Sequence, residues 1–331
     1  MLLHLLEYHW AEDLDEALIL LARTDIRTVP LAGGTYLLGR TDNEIQAVVD
    51  LRDLHLAYIE EESRAAPTTG LLRIGAMTTL QTLAEAPALR ELATGILARA
   101  AAASSSSRLI RNCATLGGTL AAGAHAQADL LTALAALDAE VVLRSGSRTQ
   151  VDLAAGTPDH PGLALPGVTF KGMQERRVSF TTLATERRAN ELIIEVVIPA
   201  TLAAASGAFL RVGRTPTDMA LLNAVAVIEV RDNRYQLVRL ALGGVNMEPV
   251  RLGAVERQLE GQPVNQEGGN ALNVQRLASV LQTGMAGFQP PSDVRASGGY
   301  RRVVGMNLAF RALEEATNVS RWRNMVSSEG R

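Results

Sequence analysis

Apolar residues recur at helical spacing near the start of the chain. Leu14, Leu18 and Leu21 share one helical face, and Asp13 followed by Glu16 forms a capping-box signature ahead of them. Short apolar runs bounded by Gly, Pro or polar residues then predict strands over 26–31, 47–51 and 71–76. Thr79 is placed to cap a helix through Leu83. Pro87 starts an Ala- and Leu-rich helix that reaches about Ala103 and ends in Ser104–Ser107, whose hydroxyls compete for backbone hydrogen bonds. Residues 129–137 predict a compact apolar helix, and 140–144 with 149–153 a hairpin around Ser145-Gly146. Residues 154–175, with three prolines, four glycines and no periodicity, predict a long surface loop. A strand over 192–198 is stopped by Pro199.

A composition break at 203–207 marks a candidate domain boundary. Beyond it, strand-like runs (224–230, 236–242) alternate with helix-like ones (254–259, 303–315). Met306, Phe310 and Leu313 lie on one face of the last helix, and the polar tail after Trp322 is expected to fray. The pattern predicts an α+β fold with a distinct C-terminal module. No internal repeat is present.

Composition narrows the function. A chain of 331 residues suggests about two domains. A net charge of −3 argues against a general nucleic-acid binder. No apolar run reaches the length of a membrane span, and acidic Glu7, Glu12 and Asp13 do not suit a signal peptide, so the expected location is cytoplasmic. Cys113 is the only cysteine, which excludes an intramolecular disulfide and a four-cysteine iron–sulfur or zinc site built by this chain alone. A small buried thiol is expected there. The five histidines show no metal-ligand spacing.

Two glycine pairs draw attention, Pro30-Leu31-Ala32-Gly33-Gly34-Thr35 and Thr115-Leu116-Gly117-Gly118-Thr119. Consecutive glycines let backbone amides converge on an anion, and a flanking threonine adds a hydroxyl. Neither matches the dinucleotide fingerprint or the Walker pattern, and Gly-Gly marks a tight turn far more often than a phosphate site. Arg111 could neutralise a diphosphate or form a surface ion pair. Asp129 could accept from a sugar hydroxyl or cap its helix. His125 falls between the second glycine pair and Asp129. Asp218 and the arginine pairs at 176–177, 187–188 and 301–302 read as solvated or ion-paired surface.

Taken in order, these segments resemble the FAD-binding medium subunit of the molybdenum hydroxylases, the xanthine dehydrogenase and aerobic carbon monoxide dehydrogenase group. The resemblance spans nearly the whole chain. Glu7-Tyr8-His9 with the 14–21 segment resembles the family's opening helix, and residues 31–35 its first flavin loop. Ile74-Gly75-Ala76-Met77-Thr78-Thr79-Leu80 resembles the strand–helix junction that follows. Ile110-Arg111-Asn112-Cys113-Ala114-Thr115-Leu116-Gly117-Gly118 is similar to the second flavin loop almost residue for residue. Downstream, Glu191-Leu192-Ile193 through Pro199, Arg214, Asp218, Leu242-Gly243-Gly244-Val245 with Pro249, and Asp293–Ser297 with Tyr300-Arg301-Arg302 are similar to the flavin-capping part.

The resemblance implies a two-lobed FAD-binding domain of the vanillyl-alcohol-oxidase type over 1–200, with lobes of about 1–56 and 57–200. A CO dehydrogenase flavoprotein C-terminal domain would cover 201–320, with a frayed tail over 321–331. It implies that Leu31, Ala32, Gly33, Gly34, Thr35 and Tyr36, with Arg111, Thr115, Leu116, Gly117, Gly118 and Thr119, bind the diphosphate region. Asp129 would hold a sugar or ribityl hydroxyl, and the Ile193 backbone would lie near the ring system. It further implies electron transfer from [2Fe-2S] clusters of a small subunit, beside a molybdopterin-containing large subunit, through FAD to an external acceptor, in a dimer of heterotrimers. No residue is assigned as a catalytic acid or base.

Four places depart from the family pattern. Thr119 replaces an asparagine, Gly123-Ala124-His125-Ala126 stands where a Ser-Pro pair is usual, and Tyr36 replaces an Asp or Ser. Leu210, beside Arg211, replaces a lysine. The departures at Thr119 and His125 keep a second reading open, a flavin-free assembly or scaffold subunit. A stand-alone flavin reductase or oxidase ranks third, because nothing in the chain resembles a nicotinamide site.

Overall fold

The computed structural model describes residues 4–62, 70–123, 128–149, 169–199, 202, 204–215, 217–264 and 274–329. Strand β1 (Glu7–Trp10), helix α1 (Leu14–Leu21), β2 (Thr28–Leu31) and β3 (Ala47–Asp50) form a first lobe around a parallel sheet ordered β1-β3-β2. Its helix starts as its sequence predicts: the Asp13 carboxylate accepts from the Glu16 amide at 2.8 Å, and Glu16 accepts in return from the Glu12 amide. Residues 7–9, which resemble part of an opening helix, form strand β1 instead. Their alternating side chains bond to the neighbouring strand and loop, Tyr8 to Asp50 and Trp10 to Asp53.

The second lobe comprises β4 (Ile59–Glu62), β5 (Leu71–Gly75), α2 (Leu80–Glu85), α3 (Pro87–Glu91), α4 (Ile96–Ala103), α5 (Arg108–Cys113), α6 (Leu116–Ala122), α7 (Asp129–Ala136), β6 (Glu140–Thr149), β7 (Thr169–Ser179), α8 (Leu183–Glu186) and β8 (Leu192–Pro199). Its antiparallel sheet runs β4-β5-β8-β6-β7. One face takes α1 of the first lobe, where Leu18 and Leu20 pack with Val142, Ile194 and Val197. The other face takes the helices of its own lobe.

The expected hairpin at Ser145-Gly146 is not formed. Strand β6 runs straight through it and pairs with β7, and Gly146 marks only a register shift, a bulge being the usual meaning of a glycine inside a strand. The last part of the expected 154–175 loop is therefore strand. Residues 154–168, with His160, lie outside the described residues, as do His125 and most of the departing segment around it.

The expected continuous helix from Pro87 to Ala103 is broken. Ala93, Thr94 and Gly95 all have positive φ (45°, 56° and 77°), a conformation costly for the first two. A distant strand fixes the break. The Thr94 hydroxyl donates to the Gly207 carbonyl at 2.6 Å and accepts from the Gly207 amide at 2.8 Å.

The C-terminal part holds β9 (Ser206–Val212), β10 (Leu222–Arg231), β11 (Arg234–Gly243), β12 (Val250–Arg251), α9 (Gly253–Leu259), α10 (Val274–Met285) and α11 (Gly298–Glu329). Its antiparallel sheet, ordered β12-β11-β10-β9, is buried on both faces. Val225, Val227 and Ala241 join the core made by α4 and α7 of the second lobe, whereas Ala224, Ala226, Ile228 and Leu240 pack under α11. The two parts thus share one apolar interior rather than a polar seam.

Helix α11 continues to Glu329 where a frayed tail is expected after 320. Its far end is tied down by polar bonds: Ser320 accepts from the Val230 amide at 3.0 Å, and Arg323 donates to the Ala205 carbonyl at 2.9 Å. No described helix is long and apolar enough to cross a membrane.

Candidate functional site

A cleft of about 600 Å³ opens between the two lobes, with Met219 of the C-terminal part on its wall. Ala32, Gly33, Gly34, Thr35, Tyr36, Thr115, Gly117, Gly118, Thr119, Asp129 and Ile193 all line it. Three other sequence candidates do not. Leu31 ends strand β2, and Leu116, the first residue of α6, is fully buried. Arg111 turns away, donating to Gln81 at 2.8 Å and to the Ser105 carbonyl at 2.5 Å, so it is neither a cleft cation nor part of a surface ion pair.

The two glycine pairs do different jobs. In the first, the amides of Gly33, Gly34, Thr35 and Tyr36 donate to no group of the described residues, leaving a run of donors at the cleft edge. The second pair is no turn. Gly117 and Gly118 open helix α6, whose N-cap Thr115 accepts from the Gly118 amide at 3.1 Å. Its other amides are also spent inside the chain: Leu116 on the Thr78 carbonyl at 2.9 Å, Gly117 on Ala76 at 2.8 Å and Thr119 on Thr115 at 2.9 Å. The Thr119 hydroxyl donates back to the Thr115 carbonyl at 2.8 Å. Glycine is needed here for close approach, because a Cβ on Gly117 would lie 2.7 Å from the Ala76 Cβ.

Gly33 couples the lobes more tightly still. A Cβ there would fall 1.7 Å from the carbonyl oxygen of Cys113. The first loop thus rests directly on the backbone that leads into the second. The Cys113 side chain is exposed, contrary to the expected buried thiol, because α5 carries no buried residue.

Asp129 is the first residue of α7 rather than its cap, and its side chain bridges to the C-terminal sheet. The Asn223 amide donates to it at 2.8 Å, and the Arg211 guanidinium approaches within 3.1 Å. Asn223 in turn accepts from the Thr132 hydroxyl at 2.7 Å, closing a fully buried polar bridge between the domains. Burial pushes the Asp129 carboxyl up to about 6, against the pull of Asn223 and Arg211. The folded state therefore holds this proton more tightly than the unfolded state. The associated stability is full below about pH 4 and is lost as pH rises through about 6. Between pH 5 and 7.5 the loss is expected to be on the order of 1 kcal/mol. Urea midpoints of wild type and Asp129→Asn at the two pH values check this, and a pH-independent difference would contradict it.

Several cleft residues had no sequence signal. Arg27 lines it and pairs with Asp42 at 3.7 Å, and Arg40 stacks over the Tyr36 ring at 5.5 Å. Arg187 reaches the cleft from α8's end, and only its place in an arginine pair could have flagged it. Among the described residues no cluster of His, Cys, Asp or Glu could hold a metal ion.

Unspent amides, small residues and an apolar wall in a cleft between two α+β lobes define a nucleotide-cofactor site, with its third wall from a separate C-terminal sheet. Known proteins share this organisation. Residues 4–156 match the family described as the FAD binding domain in molybdopterin dehydrogenase, and residues 207–316 match the CO dehydrogenase flavoprotein C-terminal domain. The chain is 26% identical over 308 residues to the glyceraldehyde dehydrogenase medium chain of Sulfolobus acidocaldarius, covering 93% of this chain and 97% of that one. It is 26% identical over 317 residues to the carbon monoxide dehydrogenase medium chain of Hydrogenophaga pseudoflava, covering 94% and 96%. A solved structure of carbon monoxide dehydrogenase from the same organism superposes with a TM-score of 0.74 at 25% identity, over 96% of this chain and 98% of that one. The chain belongs to the family of FAD-binding medium subunits of molybdenum hydroxylases, components of oxidoreductases with FAD as cofactor.

Proposed function

We propose that this subunit receives electrons from [2Fe-2S] clusters of a small partner subunit, beside a molybdopterin-containing large subunit, and delivers them to an external acceptor, within a dimer of heterotrimers. Bound FAD supplies the redox chemistry, and the chain supplies position and surroundings. The observation that carries the reading is the run of unspent amides from Gly33 to Tyr36 at the edge of a cleft of flavin-accommodating size. These amides, with the free Thr35 hydroxyl, would hold the diphosphate. Thr115, Gly117, Gly118 and Thr119 would form its opposite wall by shape, their amides being committed elsewhere. Asp129, held by Asn223 and Arg211, would present its carboxylate to a hydroxyl of the cofactor. Ile193 lies beside a bulge in β8, where the next carbonyl, Ile194, accepts from the Ala76 amide at 2.9 Å and keeps the strand pinned to the second flavin loop's support.

Relatives of similar identity are named for glyceraldehyde, caffeine and carbon monoxide, three unlike substrates, which fits a subunit that leaves substrate choice to its large partner. The purified chain is expected to be yellow and to release FAD on denaturation, read from its absorbance and from chromatography of the released cofactor. A colourless chain that refuses added FAD would favour the scaffold reading instead.

A further inference from the structure

Next to the flavin cleft lies a second cavity of about 470 Å³. Ala121 and Arg187 line both spaces and form the partition between them. Leu131, Phe180 and Leu183 give the second cavity an apolar floor, and Arg187, Arg188 and Glu248 bring charge to it.

Those charges are not consumed by the fold. Arg187 spends only its Nε, on the Glu191 carbonyl at 3.3 Å. The guanidinium of Arg188 and the carboxylate of Glu248 have no hydrogen bond or ion pair within the described residues. Glu191, the nearby acid, is already claimed by Arg176 through bonds of 2.7 and 2.9 Å. Burial disfavours the charged form of both Arg187 and Glu248, so an opposite charge arriving in the cavity would relieve a standing cost on the arginine. Among the side chains that line the cavity two cations face one carboxylate, and Glu191, outside the lining, offsets both arginines only in part because Arg176 holds it.

We infer that this cavity is a second ligand site, taking a small organic monoanion with an aromatic or branched apolar body: an aryl carboxylate or sulfonate. The ring rests on Phe180 and Leu183, and the anionic head pairs with Arg188 and the free nitrogens of Arg187. Such a ligand meets the flavin cleft across the partition of Ala121 and Arg187, but its binding does not require the cofactor.

Calorimetric titration of the full chain with naphthalene-1-sulfonate tests this, with benzoate and benzenesulfonate as competitors. One saturable site is expected, displaced by either competitor. Ala184→Trp, which fills this cavity from α8 without touching the flavin cleft, is expected to abolish binding at unchanged flavin content. Arg188→Gln, at an exposed side chain, is expected to weaken it roughly tenfold through loss of one charge-assisted bond. Binding that survives both changes, that never saturates, or that is displaced by added FAD would overturn the assignment. A chain without flavin that still binds the probe at this site would sustain it while refuting the proposed function, so the two can fail separately.

Discussion

Gly33→Ala is expected to lower FAD affinity at least about a hundredfold, equivalent to roughly 2.7 kcal/mol. The new methyl would sit 1.7 Å from the Cys113 carbonyl oxygen, a backbone atom that cannot rotate aside. Separating the two to van der Waals distance displaces the first loop from the second by more than an ångström. The amides of Gly33 through Tyr36 then no longer converge where a diphosphate would lie. Gly39→Ala is the control, because a Cβ there meets nothing within 4 Å. Flavin content and fluorescence titration of the refolded chain report the effect, and a cooperative thermal transition in Gly33→Ala separates lost binding from lost folding. Equal flavin retention in the two variants would show that the interlock does not set the loop's position.

A second large effect is expected at Arg301. This side chain is completely buried, although its sequence context reads as charged surface. It donates to the carbonyls of Leu221 at 2.8 Å and Gly244 at 3.2 Å, and to Asp293 at 2.8 Å. Asp293 also accepts from the amides of Ala296 and Arg295, which with Arg301 hold its carboxyl down at about 2. Arg301→Met leaves the buried Leu221 and Gly244 carbonyls facing an apolar atom, at a cost of about 1–3 kcal/mol each, while Asp293 keeps its contact with solvent. The unfolding midpoint is expected to fall by roughly 5 °C. The neighbouring Arg302, exposed and bonded only to the Phe288 carbonyl, is expected to tolerate the same change within about 1 kcal/mol. Differential scanning calorimetry of the two variants decides the matter, and similar midpoints would contradict the role given to Arg301.

These residues also show which parts of the molecule could be read from sequence. The capping of α1 by Asp13 and of α2 by Thr79 depends on atoms within four positions, and the sequence predicts both correctly. The serines after α4 behave as their chemistry suggests, with Ser104 donating to the Ala100 carbonyl at 2.8 Å and Ser107 capping α5. The break at Ala93–Gly95 was not legible, because Gly207, far along the chain, imposes it on residues that locally favour helix. Ser145-Gly146 misleads for a similar reason: a turn-forming pair is held straight by strands on both sides.

The site was legible in position but not in division of labour. Both glycine pairs lie at the cleft, yet only the bonding of each amide reveals that one offers donors and the other offers room. Arg111, inside the most specific sequence motif, serves the scaffold, binding Gln81 and Ser105. Arg211, which carried no motif of its own, reaches Asp129.

The sheet buried on both faces has a consequence for synthesis. Helices α4 and α7 are complete when the ribosome has passed residue 136, but part of the apolar surface that covers α7 belongs to β10 and β11. A growing chain cannot close that interior until residues 222–243 have left the exit tunnel. The bridge from Asp129 to Asn223 cannot form before then either. The first half of this protein therefore waits, with sticky helices uncovered, for its own second half, and a chain cut near residue 200 would be an aggregation hazard rather than a working flavin domain.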